Sequence, residues 1–354
     1  MNLDPEKAGD MVNEPFVSVL LPVFNGGPYL QEAIGSILGQ SYRNFELIII
    51  DDGSTDDSWR TIKQVQDPRV CAFQQRNQGL AGTLNRAIQL ARGVYLARQD
   101  ADDVALPKRF ERQVEFLETH RDYGLVGTWA TVLSESRDET KVHNHPSENH
   151  VLKYELLFDN PFVHSSMMIR KAVVDRVGGY LRESVTRPAE DYELWSRVAR
   201  EFDVANIPEV LQIYRDTPKG LSKGTGNPLL DHVINTSIGN LAWVTGRPTN
   251  DPAIHDLAAF SHGAHHRVLG NVALRELLDV LNEAAHTLSK ACRVPAEALR
   301  ERVQAHFHTV QYHYDHYHRY CRGGRIRRTI VQLAGAVKRG ILGSGLLQKE
   351  VKKA

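Results

Sequence analysis

The chain has 354 residues, of which 42% are apolar and 24% charged, enough to bury one large domain and a smaller one. Its 43 basic and 43 acidic side chains cancel, so net charge gives no reason to expect a nucleic-acid partner. Cys71, Cys292 and Cys321 are scattered without metal-ligand spacing, an odd, sparse count that suits a reducing compartment better than a disulfide scaffold. Residues 1–14 are polar, lack the apolar core of a signal peptide and are expected to be disordered. No run reaches the ~18 apolar residues that span a bilayer. The expectation is a cytoplasmic protein, with any membrane contact peripheral, at the inner face of the plasma membrane.

Residues 16–24 are almost continuously apolar, the pattern of a parallel strand covered on both faces. Asn25-Gly26-Gly27-Pro28 turns the chain, and Leu30, Ala33, Ile34, Ile37 and Leu38 give 29–38 helical spacing. A second strand over 45–50 runs into Asp51 and Asp52, and Ser54 or Thr55 is placed to cap a helix beginning near Asp56. Residues 70–73 form a third apolar run, 80–91 a helix and 94–97 a fourth strand. This alternation predicts an α/β fold with a mostly parallel sheet, whose ligands bind beyond the carboxyl ends of the strands. Three such ends are polar here: Asn25, Asp51-Asp52, and Asp100, Asp102 and Asp103.

Asp100 and Asp102 stand two apart, on one side of an extended backbone. Ionised carboxylates are costly to bury unpaired, so the cluster needs water or a cation. Mg²⁺ and Mn²⁺ often take one or two carboxylates together with substrate phosphates. The competing reading is a solvated acidic turn before the next helix.

Farther on, 106–120 is helical, with Pro107 in its first turn and an apolar stripe of Phe110, Val114 and Leu117. A strand is expected over 124–133 and a polar loop over 134–150. His143 and His145 in that loop lack a third ligand and are expected to be solvent-exposed. Glu190 and Asp191 precede a helix whose apolar face is Leu194, Trp195 and Val198. Residues 217–228 read as a linker or active-site loop, and 229–320 as all-helical. Histidines and tyrosines between His306 and Tyr320 alternate on an amphipathic helix with wet polar tips. In 321–354 basic residues face the single acid Glu350, and Ile326, Ile330, Leu333, Val337 and Ile341 share a helical face. Such a tail lies in a membrane interface, docks on the neighbouring helices, or joins subunits in a homo-oligomer.

Seven stretches, in order, carry a family resemblance: VLLPVFN (19–25), IDDGSTD (50–56), RNQGLAGTLN (76–85), ARQDADD (97–103), NPFVHS (160–165), GGY (178–180) and AEDYELW (189–195). Together they resemble the inverting family-2 glycosyltransferases of the GT-A fold over about residues 15–216. The resemblance implies a Rossmann-like sheet flanked by helices. It also implies inverting transfer from a nucleotide-diphosphate sugar, a UDP-sugar, to a hydroxyl on a sugar or lipid-linked acceptor. That chemistry belongs to cell-surface polysaccharide or glycolipid synthesis, with Mn²⁺ or Mg²⁺ as cofactor. On this resemblance Pro22, Phe24, Asn25, Arg76 and Asn77 lie on the donor side, and Asp51 and Asp52 accept hydrogen bonds from base and ribose. Asp100 faces the ribose and the metal, and Asp102, with Asp103, ligates the metal. Arg98 pairs with a phosphate, and His164 stands behind the site or on its phosphate side. Asp191 is the general base, with Glu190 beside it.

Each residue also has a plain structural reading: Asn25 as a turn former, Asp51-Asp52 and Glu190-Asp191 as acids favoured by helix dipoles, Arg98 in an ion pair with a neighbouring Asp, and His164 satisfied by backbone. Two other functions compete. A nucleotidyltransferase wants a Gly-rich phosphate loop with a nearby cation, which residues 25–28 do not offer. A non-catalytic nucleotide-sugar-binding scaffold would leave Glu190 and Asp191 dispensable.

Overall fold

A computed structural model describes residues 16–134, 140–181, 190–217 and 228–321. The N-terminal segment, nearly all of the expected linker and nearly all of the basic tail lie outside the described residues. The first unit alternates as the sequence suggests: β1 (Val17–Val23), α1 (Leu30–Leu38), β2 (Phe45–Asp51), α2 (Ser58–Lys63), β3 (Val70–Gln74), α3 (Gly79–Leu90) and β4 (Tyr95–Arg98). There follow β5 (Val104–Ala105), α4 (Arg109–Thr119), β6 (Tyr123–Ser134), β7 (Thr140–His143), α5 (Asn149–Glu155), β8 (Met168–Arg170), α6 (Lys171–Val177), α7 (Glu190–Glu201) and β9 (Asp203–Asp216).

The strands form one sheet in the order β3-β2-β1-β4-β8-β6-β9-β5, with β7 added beside β6. From β3 to β4 every pairing is parallel. Beyond β4 the sheet is mixed: β8 runs antiparallel to β4 and β6, while β9 is parallel to β6 and antiparallel to β5. All residues of β1 and β2 are buried, and they alternate between two cores. Val17, Val19, Leu21, Leu47 and Ile49 meet α1 and α4 on one face, whereas Leu20, Ile48 and Ile50 meet α3 and α7 on the other. The strand period of two thus divides one apolar run between two layers. Pro22 is tolerated inside β1 because the ladder to β4 covers only residues 17–20.

Two local expectations are corrected. Residues 140–143 are a strand, paired in register with Ala130 to Leu133. The twelve-residue β6 offers that stretch a free edge, which satisfies backbone groups whatever the side chains. Of the two histidines expected to be exposed, His143 on this strand is, whereas His145 is half-buried. The second correction concerns α2, which starts at Ser58 behind Asp57 without a side-chain cap; Ser54 and Thr55 are engaged by Asn25 instead.

The chain divides at 236/237, inside α8 (Pro228–Thr245). In the second unit α9 (Pro252–Ser261), α10 (Leu274–Ala291) and α11 (Arg300–His316) pack Ile254, Leu257, Phe260, Leu277, Leu281, Leu288 and Val310 into its core. Asp251 caps α9 by accepting from the Ala253 N–H at 2.8 Å, with Pro252 in the first turn. No helix among the described residues is long and apolar enough to cross a membrane.

Candidate active site

Two loops at the carboxyl edge of the sheet are sewn together. The Asn25 N–H donates to Ser54 Oγ at 2.9 Å, and Asn25 Oδ1 accepts from the Thr55 N–H at 2.8 Å. Gly26 N–H reaches Ser58 Oγ and Gly27 N–H reaches Asp56, at 2.9 and 3.1 Å. Asn25 therefore shapes the lip of the cleft and spends its side-chain oxygen on it. Asp51 and Asp52, both buried, differ. Gln75 and the Gln78 and Gly79 N–H groups, at 2.7–2.9 Å, occupy both oxygens of Asp52, which anchors the start of α3. Asp51 accepts from Gln74 at 2.9 Å and only distantly, at 3.4 Å, from the Ser54 N–H, so it keeps acceptor capacity toward the cleft. Phe24, Arg76 and Asn77 are exposed at the rim, and Pro22 is buried in the sheet.

β4 delivers the acidic cluster. Arg98, 4% exposed, forms an ion pair with Asp100, as its plain structural reading expects. Burial, with the charge of Asp100 added, pushes Asp102 up to about 6. Asp103 is pushed up to about 8, first by burial and then by Asp100. It is spent on the scaffold, since Ser165 Oγ donates to one oxygen and the Arg215 N–H to the other at 2.7 Å. Asp103, 1% exposed, is thereby the carboxylate of the three most engaged by the scaffold. Among the described residues no group of three or more His, Cys, Asp or Glu converges to hold a cation. What remains is Asp102 with the uncommitted oxygen of Asp100, a donor set that fits Mg²⁺ or Mn²⁺ completed by substrate phosphates.

The turn is held from behind by Arg109, which is fully buried at the start of α4. Its Nη1 donates to Gln99 Oε1, Ser165 O and Gln212 Oε1 at 2.6–2.8 Å, and its Nη2 to Arg98 O at 2.8 Å. Burial drags this guanidinium down to about 9, so it carries its charge at neutral pH.

The second acidic centre opens α7, as expected. Glu190 is 9% exposed, and burial, then the charge of Asp191, pushes it up to about 7. Burial also raises Asp191. Its Oδ2 accepts from Asn160 Nδ2, and its Oδ1 from the Tyr192 N–H, both at 2.8 Å. His164 Nδ1 stands 3.9 Å from Asp191 Oδ2, and its Nε2 lies 2.9 Å from Tyr180 Oη. Burial, with Arg98 adding, holds this imidazole well below its ordinary value, so it is neutral. His164 thus stands beside Asp191. The two centres form one electrostatic unit: both Arg98 and Asp100 act on Glu190 and on Asp191.

A glycosyl transferase family 2 model matches residues 18–178. EpsE of Bacillus subtilis (strain 168), named as a glycosyltransferase, is 36% identical over 231 residues, covering 63% of this chain and 81% of its own. The chain belongs to glycosyl transferase family 2. The O-antigen biosynthesis glycosyltransferase WbnJ of Escherichia coli is a further relative, 33% identical over 215 residues, 58% of this chain and 82% of its own. Among solved structures, S. aureus TarS (1–349) in complex with UDP superposes with a TM-score of 0.54 at 16% identity over 86% of this chain and 91% of its own. The mannosyltransferase PcManGT from Pyrobaculum calidifontis, in complex with GDP-Man and Mn²⁺, gives 0.51 at 18% identity, over 85% and 87%. These likenesses establish the GT-A-type fold of this family-2 transferase.

Sequence reasoning missed several residues of the site. Asn85, Asn160 and Tyr180 lay inside recognised motifs, but nothing local showed that Asn160 would meet Asp191, Tyr180 would meet His164, or Asn85 would hold the Tyr180 backbone. Arg215, whose Nε donates to Asp102 O at 2.9 Å and whose guanidinium stacks 4.3 Å over Tyr29, carried no signal.

Proposed function

We propose that this glycosyltransferase moves a sugar from a UDP-sugar to a hydroxyl acceptor with inversion, in the assembly of a cell-surface polysaccharide or glycolipid. The reading is carried by two acidic pairs, Asp100–Asp102 after β4 and Glu190–Asp191 at the start of α7, with the buried Arg98 ion-paired to Asp100 and its charge felt by Glu190 and Asp191. One pair suits the leaving diphosphate and the other the incoming nucleophile. WbnJ, named for O-antigen biosynthesis, supports the acceptor class, and TarS, solved with UDP and with UDP-GlcNAc, supports the donor class.

Asp191 takes the proton of the acceptor hydroxyl as its oxygen attacks the anomeric carbon from the side opposite the diphosphate. Burial lifts its basicity toward the working pH, where a general base is most effective. Asn160 fixes the carboxylate plane. Asp51 accepts from the base or ribose, while Asp52 and Asn25 keep the cleft wall in shape. Asp102 and Asp100 would hold Mn²⁺ or Mg²⁺, which supplies charge neutralisation at the leaving diphosphate.

The test is a panel of nucleotide sugars scored by release of nucleoside diphosphate, run on wild type and Asp191→Asn. The variant should bind donor normally while kcat falls by about 10²-fold or more. Normal turnover would remove Asp191 as the base. NMR of the product should show a β linkage from an α-linked donor; retention would overturn the mechanism.

A further inference from the structure

We propose that His164 is the positioning residue of Asp191, locked by Tyr180 into the tautomer that presents an N–H to the carboxylate. The inference rests on the reading of Asp191 as the base. It starts from two distances, 2.9 Å between Tyr180 Oη and His164 Nε2 and 3.9 Å between His164 Nδ1 and Asp191 Oδ2.

A neutral imidazole carries one N–H and one lone pair. If Nε2 held the proton, the lone pair of Nδ1 would face a carboxylate oxygen, two acceptors pointed at each other. If Tyr180 donates its O–H to Nε2, the proton sits on Nδ1 and faces Asp191 Oδ2. Only the second arrangement satisfies both ends. At 3.9 Å the contact is electrostatic and longer than a hydrogen bond; such contacts tighten when substrate is bound.

Tyr180 is itself immobilised. Asn85 of α3 brackets its backbone, with Nδ2 donating to Tyr180 O at 2.7 Å and Oδ1 accepting the Tyr180 N–H at 2.9 Å. The neighbouring residue must be glycine, because a Cβ at Gly179 would overlap Asn85 Oδ1. The rings of His164 and Tyr180 both pack edgewise on Trp195, 5.9 and 6.4 Å between centroids, and Trp195 is fully buried on the helix that begins with Glu190 and Asp191.

The consequence is positional. Asn160 and His164 both address Oδ2, and the Tyr192 N–H takes one lone pair of Oδ1. The lone pair left on Oδ1 is the one that receives the acceptor proton. His164 touches neither the sugar nor the reacting atoms; it acts through Asp191.

The experiment uses the full chain with ¹⁵N-labelled histidine. Long-range ¹H–¹⁵N correlation should show His164, assigned by the signals lost in His164→Asn, as the Nδ1–H tautomer. In Tyr180→Phe a fraction should move to Nε2–H. With the active nucleotide sugar of the donor panel, His164→Ala should lower kcat by about 10–100-fold, the usual scale for an outer partner, with donor KM within about twofold. His164→Asn, whose amide N–H falls near Nδ1, should restore kcat to within a few-fold of wild type, whereas His164→Gln should not. An Nε2–H tautomer in the wild type overturns the proposal, as does unchanged kcat in His164→Ala or the absence of rescue by asparagine. Normal turnover in Asp191→Asn defeats the base itself. A wild-type Nε2–H signal beside an inactive Asp191→Asn defeats only the positioning by His164.

Discussion

Replacing Arg98 by methionine tests the electrostatic unit at its centre. Methionine keeps most of the aliphatic stem of Arg98, which lines an apolar cavity together with Leu20, Leu96, Ile169 and Trp195, and deletes the charge. Removing one partner of a buried ion pair costs about 3–5 kcal/mol. The Asp100 side chain is 30% exposed and keeps some water, so the lower end, about 3 kcal/mol, is expected. At about 2–4 °C per kcal/mol for a domain of this size, the apparent Tm should fall by about 6–12 °C at pH 8. The loss should shrink on acidification. Asp102, Asp103 and Glu190 already stand at about 6, 8 and 7 in the folded protein, raised above their unfolded values. Carboxyls raised in this way favour folding when protonated and oppose it as pH climbs from about 4 through their folded pKa values. Without Arg98 that opposition grows, fully at pH 8 and hardly at all near pH 4. Mn²⁺ should recover a larger share of Tm in the variant than in wild type, because a like charge beside its site is gone. Differential scanning fluorimetry at pH 5 and pH 8, with and without Mn²⁺, reads all of this. A variant that melts within about 1 °C of wild type at pH 8, or that loses equally at both pH values, would refute the reasoning.

Asp102→Asn should lose Mn²⁺-dependent donor binding, measured by calorimetry, since an amide is a poorer ligand for a hard cation; EDTA should abolish transfer by the wild type and Mn²⁺ or Mg²⁺ should restore it. Ser165→Ala strips a donor from the buried Asp103 and should cost about 1–3 kcal/mol by urea unfolding, less at low pH than at pH 9. Gly127→Ala puts a Cβ onto Asn206 Oδ1 and within 2.8 Å of Met167 Sδ; overpacking of this kind costs about 1–3 kcal/mol, and an unchanged denaturation midpoint would show that the strands yield there.

The parallel half was legible because each of its strands is a short apolar run closed by a polar residue, with a helix-period stretch between. Residues 140–143 were not, because their strand character comes from the vacant edge of β6 and not from their own side chains. Within the site, residue types at strand ends pointed to the chemistry, but spacing could not say which carboxylate oxygens the fold consumes. Asp100, Asp102 and Asp103 look alike in sequence; Ser165 and Arg215, which distinguish Asp103 from the others, arrive 62 and 112 residues later. Asp51 and Asp52 likewise separate only when Gln75, Gln78 and Gly79 close around the second of them.

The buried hub at Arg109 also imposes an order of events on biosynthesis. Its acceptors on Arg98 and Gln99 precede it in the chain, but Ser165 follows by 56 residues and Gln212 by 103. At ~5–20 residues per second, the ribosome delivers Gln212 about 5–20 s after Arg109. Until then the guanidinium keeps its water, because burying it half-satisfied is costly. The strands from β3 to β4 can pair early, whereas the acidic turn at 98–103 locks only when β9 arrives. A nascent chain cut short before residue 212 would carry the lip formed by Asn25, Ser54 and Thr55 without a set acidic cluster.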